Sequence, residues 1–474
     1  MLLPRRGIGV KALMRPNVSC AWQAMALFVA GVALLLVGGA AAVARGPVGS
    51  PASGSLTSIV PNLGTGAPDA AAALAEAEEA FRTQPFRKFA GYAVTLADAY
   101  PHSAALQLMC CEALLASGAV PSAETKALEA WQLAAGQTGN KTIGNARERA
   151  ATERCAAKLW TTARLRQGKS LLDASADPLF ARLEEQGGAA EIVFWRKRLA
   201  GQRPYGVTVY RGRGRRGQAR HAAIENATCR AIPIEVNGRL FVQGCIDTGS
   251  QYTLLTPEVA KLAGVVTGPV ATELVGFASL AGRPAVAGRL RIGNVELRNV
   301  PVLVARSAAM EAASADVVLG NDLLYHLRLT IDEKSESVAV HPARRRAPPR
   351  RHWRIELWTF SKACLAQAYE PNGQSLRVLI DTGNHSGVFV SRRFLSGRSP
   401  QGAMLSFVGR VVPSGLPPLE LGNRRTEAWT VRGALPADLD RLGLFDVLVP
   451  GSLLAPGTLT LDLKNRYVEL SAAP

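Results

Sequence analysis

The sequence predicts a multidomain chain: an N-terminal membrane segment, an all-α helical domain, and an all-β bilobal fold that arose by internal duplication. Three observations carry that prediction. Met25 to Ala44 is an uncharged run rich in Ala, Leu and Val, preceded by Arg5, Arg6, Lys11 and Arg15 with no acid among them. Asp69 to about Leu199 reads as helical. From Ala231 to Leu470 a set of β-type landmarks occurs twice in the same order.

The length, 474 residues, allows several domains, and a hydrophobic content of 48% is that of a globular chain rather than a disordered one. The formal charge of +18 sits largely in clusters: the leader, Arg211 to Arg220, and Arg344 to Arg354. Residues 1–20 form a basic leader, and residues 21–45 a transmembrane anchor or a signal peptide. The apolar run is long enough, at about 1.5 Å per residue, to cross a bilayer core of roughly 30 Å. The basic side stays in the cytoplasm, which exports everything after Arg45. Gly39 to Ala44 offers small-residue cleavage sites, so cleavage and anchoring both fit; the long leader and Trp22 favour the anchor. The catalytic portion is expected outside the cytoplasm, in the periplasm if the source is bacterial.

Residues 46–66, rich in Gly, Ser and Pro, read as a flexible linker. Residues 67–200 form the helical domain, with helices expected at Phe89 to Tyr100, Ala104 to Leu115, Ser122 to Ala135 and Arg147 to Gln167. Tyr100-Pro101 before Ser103-Ala104 resembles the joint of a tetratricopeptide-type (TPR-like) repeat, where Pro opens the next helix. A plain bundle that braces its neighbours and a platform for a protein partner both satisfy this pattern. Residues 201–225 read as a basic linker.

The duplicated part divides into a first lobe, residues 226–342, a basic inter-lobe linker, 343–354, and a second lobe, 355–474. Ile246-Asp247-Thr248-Gly249-Ser250 is answered by Ile380-Asp381-Thr382-Gly383-Asn384. Each follows an apolar strand-like run and an Asn-Gly pair, Asn237-Gly238 or Asn372-Gly373. Ile292-Gly293-Asn294 is answered by Leu421-Gly422-Asn423. Val318-Leu319-Gly320-Asn321 is answered by Val449-Pro450-Gly451-Ser452, and the strand ending in Asp332 by the one ending in Asp462.

These residues resemble the aspartic protease family, in the retropepsin-like and bacterial periplasmic branch, over about half the chain. The resemblance implies an acid-protease fold in which each lobe carries one Asp-Thr-Gly loop, crossed from behind by an apolar pair plus Gly. It implies Asp247 and Asp381 as the catalytic pair, with Thr248, Gly249, Ser250, Thr382, Gly383 and Asn384 supporting them. It also implies a flap over the substrate, with Gly276 as a hinge point and Phe277 near the tip. Pro450 before its Gly, and Asn384 where the family usually has Ser, Thr or Ala, depart from the pattern.

The chemistry accounts for two loops. Hydrolysing a peptide bond without a covalent intermediate needs a base for the attacking water and an acid for the carbonyl oxygen and the leaving amine. Two carboxyl groups about 3 Å apart share one proton and supply both. Ser250 can donate a hydrogen bond to its own Asp, and Asn384 can do so through its amide. The bland alternative makes both Asp residues turn caps in an inactive scaffold.

Seven cysteines are no disulfide framework in a chain this long, although a bridge from Cys110 or Cys111 to Cys155 is open. Cys245 shares a strand face with Asp247 and reads as packing. No Cys/His spacing suggests a metal, and no cofactor is expected. Arg211 to Arg216 lacks interleaved aromatics, which argues against nucleic acid. The sequence thus points to an exported, membrane-tethered aspartic-type endopeptidase, a hydrolase acting on peptide or protein substrates. Two alternatives stand beside it: a retropepsin-like intermolecular dimer using the first lobe only, and a non-catalytic envelope protein that binds peptides.

Overall fold

The computed structural model describes residues 70–471, apart from 137–145, 188, 211–217, 221–230, 269–271, 276–278, 307–309, 312–313, 333–334, 346–352, 361–362, 385–386, 397–403, 408–409, 414, 436–439, 441–442 and 455–456. Two halves of β structure follow a set of helices. The helices are Ala70–Thr83, Phe86–Ala99, Ala104–Ala116, Val120–Ala134, Ala146–Gln167, Asp177–Glu185 and Ala190–Arg198. Ser103 caps the third of these, accepting from Leu106 N at 3.4 Å. Pro101 therefore lies in the turn ahead of that cap and does not open the helix, which corrects the TPR-like joint.

The duplication is visible in the pairing of strands. In the first half the neighbours run Val295–Val304, Leu254–Leu255, Val317–Leu319, Leu240–Ile246, Ala231–Val236. In the second they run Trp429–Ala434, Val388–Val390, Val447–Pro450, Ser375–Asp381, Ala363–Tyr369. In each, the strand that delivers the Asp runs parallel to the apolar strand crossing behind it, with Ile246 opposite Leu319 and Ile380 opposite Val449. Pro450 keeps this register opposite Asp381, so its missing N–H does not break the crossing.

The turns are matched less evenly. Gly293-Asn294 and Gly422-Asn423 both close two-residue hairpins, Ile292 pairing with Val295 and Leu421 with Arg424. Asn237-Gly238 lies in a three-residue connection between Val236 and Leu240, both residues having positive φ (52° and 67°) as a type I′ turn requires. Asn372-Gly373 instead sits in a longer loop between Tyr369 and Ser375.

The two halves also pair with each other. Leu327–Asp332 runs antiparallel to Thr458–Asp462, and Thr330 lies opposite Thr460, its own counterpart, their hydroxyls 3.1 Å apart. A pseudo-twofold axis therefore passes through that pair.

The expected fold class needs two corrections. No helix among the described residues is long and apolar enough to cross a membrane; Met25 to Ala44, with the leader and the 46–66 linker, lie outside them. The helices are not a separate domain, because one buried cluster runs from Leu108, Trp131, Trp160 and Phe180 through Ile232 and Leu303 to Val378 and Leu470. The two lobes are joined, strands of both halves lying in one sheet.

Apolar faces on the helices explain the merger. Phe81, Phe86 and Phe89 pack edge-on or tilted against Trp358 and Phe360, with ring centroids 5.1–5.9 Å apart. Phe86 N donates to Gln367 Oε1 at 3.0 Å. At the other end Trp195 Nε1 donates to Ala285 O at 3.0 Å, fixing the last helix to the first half. The expected basic linker contributes two strands, Gly206–Val209 on Val295–Arg298 and Gln218–Arg220 on Ser337–Ala339.

Candidate active site

The two Asp-Thr-Gly loops meet on the pseudo-twofold axis. Thr248 N donates to Thr382 Oγ1 at 3.1 Å and Thr382 N to Thr248 Oγ1 at 3.0 Å. Each hydroxyl then donates across the axis, Thr248 Oγ1 to Ile380 O at 2.7 Å and Thr382 Oγ1 to Ile246 O at 2.9 Å. Thr248 is fully buried, so leaving any of these groups without a partner would cost on the order of 1–3 kcal/mol.

Each Asp is held by its own loop. Asp247 Oδ1 accepts from Gly249 N at 2.8 Å and Ser250 N at 3.1 Å; Asp381 Oδ1 accepts from Gly383 N at 2.9 Å and Asn384 N at 3.1 Å. The carboxyl groups hydrogen-bond to one another. The glycines make this approach possible. A Cβ on Gly249 would stand 2.7 Å from Asp381 Oδ2, and one on Gly383 2.6 Å from Asp247 Cγ.

Burial raises the Asp247 pKa above the usual carboxylate range, partly offset by its hydrogen bonds to Asp381 and the loop amides. Asp381 is raised much further, first by burial, then by the charge of Asp247 and the hydrogen bond to it. Asp381 is 1% exposed, whereas Asp247 is half-buried. Such a pair can hold one proton between its members over a wide pH range.

Two supporting side chains point elsewhere than expected. Ser250 Oγ donates to Tyr252 O at 2.8 Å, and Asn384 Nδ2 to Gly387 O at 2.9 Å. Both brace the outgoing turn, so the Asn384 departure preserves the local role of Ser250. Gly276 and Phe277 lie outside the described residues, although Thr272–Val275 and Ser279–Ile292 form the hairpin they join.

Sequence reasoning missed two groups behind the loops. Asn321 follows the crossing Gly320, and its Nδ2 donates to Thr248 O at 2.8 Å. Cys364, on the strand beside the Asp381 strand, donates its S–H to Asn321 Oδ1 at 3.2 Å. A polar residue immediately after the apolar crossing segment was the available signal for Asn321; nothing local marks Cys364.

Cys245 is disulfide-bonded rather than simply packed. Cys110, Cys111, Cys155 and Cys364 are buried thiols, so the open bridge to Cys155 does not form. Among the described residues no cluster of His, Cys, Asp and Glu could hold a metal ion.

Residues 232–323 match the family model described as aspartyl protease, and the chain therefore carries an aspartyl protease domain. The match takes in Asp247 and Asn321 and ends before the second half. The DNA damage-inducible protein 1 of Cryptococcus neoformans var. neoformans serotype D, in two strains, is 28% identical over 116 residues, which are 24% of this chain and 26% of the relative. The chain thus spans about a quarter of the length of the curated relatives it matches.

Proposed function

We propose that this chain is an aspartic-type endopeptidase in which Asp247 and Asp381 together activate the water that attacks a peptide bond. The observation that supports it is the meeting of two hydrogen-bonded carboxyl groups, Asp381 buried and Asp247 half-buried, on the axis relating the duplicated halves. The ionised member takes a proton from the water as it attacks, and the protonated member gives its proton to the carbonyl oxygen. The resulting tetrahedral species collapses when a proton passes to the leaving amine. Thr248 and Thr382 hold the loops in register, and Gly249 and Gly383 let them approach. The hairpin of Thr272–Val275 and Ser279–Ile292 covers the bound peptide.

The test is cleavage of a mixed peptide library by the full chain, alone and with a statine-type transition-state mimic. Asp247→Asn and Asp381→Asn should each remove nearly all activity, and the double change should cost little more, because groups acting as one unit are strongly non-additive. Activity that survives Asp381→Asn and falls on dilution would sink this reading and favour a dimer of first halves. The pairing of Asp247 with Asp381 inside one chain speaks against that dimer. Peptide binding without cleavage would favour a non-catalytic binding protein.

The same proposal places the reaction outside the cytoplasm. The basic leader ahead of an apolar run supports export, and the Cys245 disulfide fits an oxidising compartment. A reporter active only outside the cytoplasm, fused after Pro474, should give signal; a silent fusion refutes export.

A further inference from the structure

The carbonyl that Asn321 engages belongs to the Thr248–Gly249 peptide group, whose own N–H is the one Gly249 donates to Asp247 Oδ1. A hydrogen bond accepted at one end of a peptide group polarises it and strengthens the donor at the other end. The same holds for the Asn321 carboxamide, whose oxygen accepts from Cys364 while its nitrogen donates. An unbroken line of donors thus runs from the Cys364 S–H to the Asp247 carboxylate. Asn321 is 2% exposed and Cys364 fully buried, so water does not compete for these groups.

The second half is built differently. Gly451 takes the place of Asn321, each opening the short helix after the crossing strand, so the second half has no side chain there to reach the loop. The loops are otherwise matched, with Gly249 N and Gly383 N donating to their carboxylates at 2.8 and 2.9 Å.

We infer that Asn321, held by the Cys364 thiol, is a positioning residue that steers the pair's shared proton away from Asp247 and onto Asp381. This deepens the proposed function and rests on it. Asp247 then serves as the base and Asp381 as the acid. The difference in burial acts in the same direction, Asp381 being the more enclosed of the two. Among the described residues, the titratable groups facing the pair are each carboxyl for the other and the Cys364 thiol. Burial holds that thiol protonated, so it remains a donor. Behind it stands Arg166 of the Ala146–Gln167 helix, with Glu112, Cys111 and Tyr325 around that guanidinium. Arg166 donates to Leu115 O at 3.1 Å and lies over the Tyr325 ring at 4.9 Å, which brings the helices to within one residue of the relay.

The test is a pH titration of the Asp carboxyl carbons by NMR in the full-length, isotope-labelled protein, with resonances assigned through Asp247→Asn and Asp381→Asn. In the singly protonated state the unsubstituted protein should show the ionised shift at Asp247. Asn321→Ser, which has no carboxamide to donate at one end and accept at the other, should spread the proton more evenly and raise the lower titration step. Losing a cooperative strengthening of about 10–30% in a charge-assisted hydrogen bond amounts to roughly a few tenths of a pH unit. Cys364→Ala should move the step in the same direction, and Cys364→Ser, which keeps a donor, should restore it. This pair carries the test if Asn321→Ser fails to fold.

Titration unchanged by Asn321→Ser and Cys364→Ala, with one proton still shared, overturns the inference alone. Two carboxyl groups titrating independently overturn the shared-proton reading as well. An asymmetric shared proton that responds to these variants, in a protein that cleaves no peptide, upholds the inference and overturns the function.

Discussion

Placing a methyl group on Gly383 should disable the site while leaving the fold standing. The added Cβ would lie 2.6 Å from Asp247 Cγ, 2.7 Å from its Oδ1 and 3.0 Å from its Oδ2. Carbon atoms pack best at about 3.5–4.0 Å, so the carboxyl group or the loop must yield by about 1 Å. Neither moves freely. Asp247 is fixed by two loop amides, and Gly383 follows Thr382, which is clamped across the axis. A displacement of about 1 Å between reacting groups costs on the order of 100-fold in rate, about 2.7 kcal/mol in transition-state binding. Overpacking adds about 1–3 kcal/mol of instability. The assay pairs kcat/KM on a cleaved peptide with thermal unfolding. Gly91→Ala serves as control, because its Cβ meets nothing within 4 Å on a helix. Wild-type kcat/KM and pH dependence in Gly383→Ala would refute the claim that the carboxyl pair needs this close approach.

Three further outcomes follow from the site and its surroundings. Asn384→Ser should leave the pH–rate profile unmoved, because Asn384 Nδ2 serves Gly387 O rather than a carboxylate; a shifted acidic limb would contradict that. Asp381→Asn should stabilise the fold at neutral pH more than at pH 4. A carboxyl whose folded pKa is raised binds its proton more tightly when folded, so its contribution falls as pH climbs above the unfolded value of about 3.9. Equal shifts in melting temperature at the two pH values would refute it. His326 works in the opposite direction: burial lowers its pKa to about 3, so stability is present above the unfolded value and is lost as pH falls from about 6.5. His326→Phe keeps a ring to stack on Tyr205, now 4.2 Å from the imidazole, and should flatten that acid loss. A melting curve as steep in acid as before would exclude His326 as its source.

The carboxyl pair was legible because duplication supplies a check that one tripeptide lacks. Asp247 and Asp381 each follow a strand-like run and precede an apolar pair with Gly, and the parallel registers Ile246–Leu319 and Ile380–Val449 are what those runs encode. The Asn237-Gly238 turn was legible for a local reason, since only a few residue types accept its backbone, whereas Asn372-Gly373, the same pair, sits in a longer loop. Helix positions were legible too, although their placement was not. Phe81, Phe86 and Phe89 signal a buried face without saying what covers it, and Trp358 and Phe360 lie far along the chain. The Arg- and Gly-rich stretch after residue 200 looked solvated, yet Gly206–Val209 closes a sheet edge, a role set by the free side of Val295–Val304 rather than by its own composition.

What sequence could least supply was the direction of short polar side chains. Ser250 and Asn384 occupy the same place in the two copies, and either could have turned to its Asp or to its outgoing loop. The choice is made by Tyr252 O and Gly387 O, carbonyls that come within 2.8 and 2.9 Å only once the turn has formed. Asn321 presents the same problem over a longer reach. Its partners are one carbonyl from its own half and one thiol from the other, and only the crossing of the halves sets them on either side of one carboxamide. Duplicated landmarks therefore tell where two matched loops will meet. The asymmetry between the loops is written at matched positions such as Asn321 and Gly451, of which the first has a side chain to reach the loop behind it and the second has none.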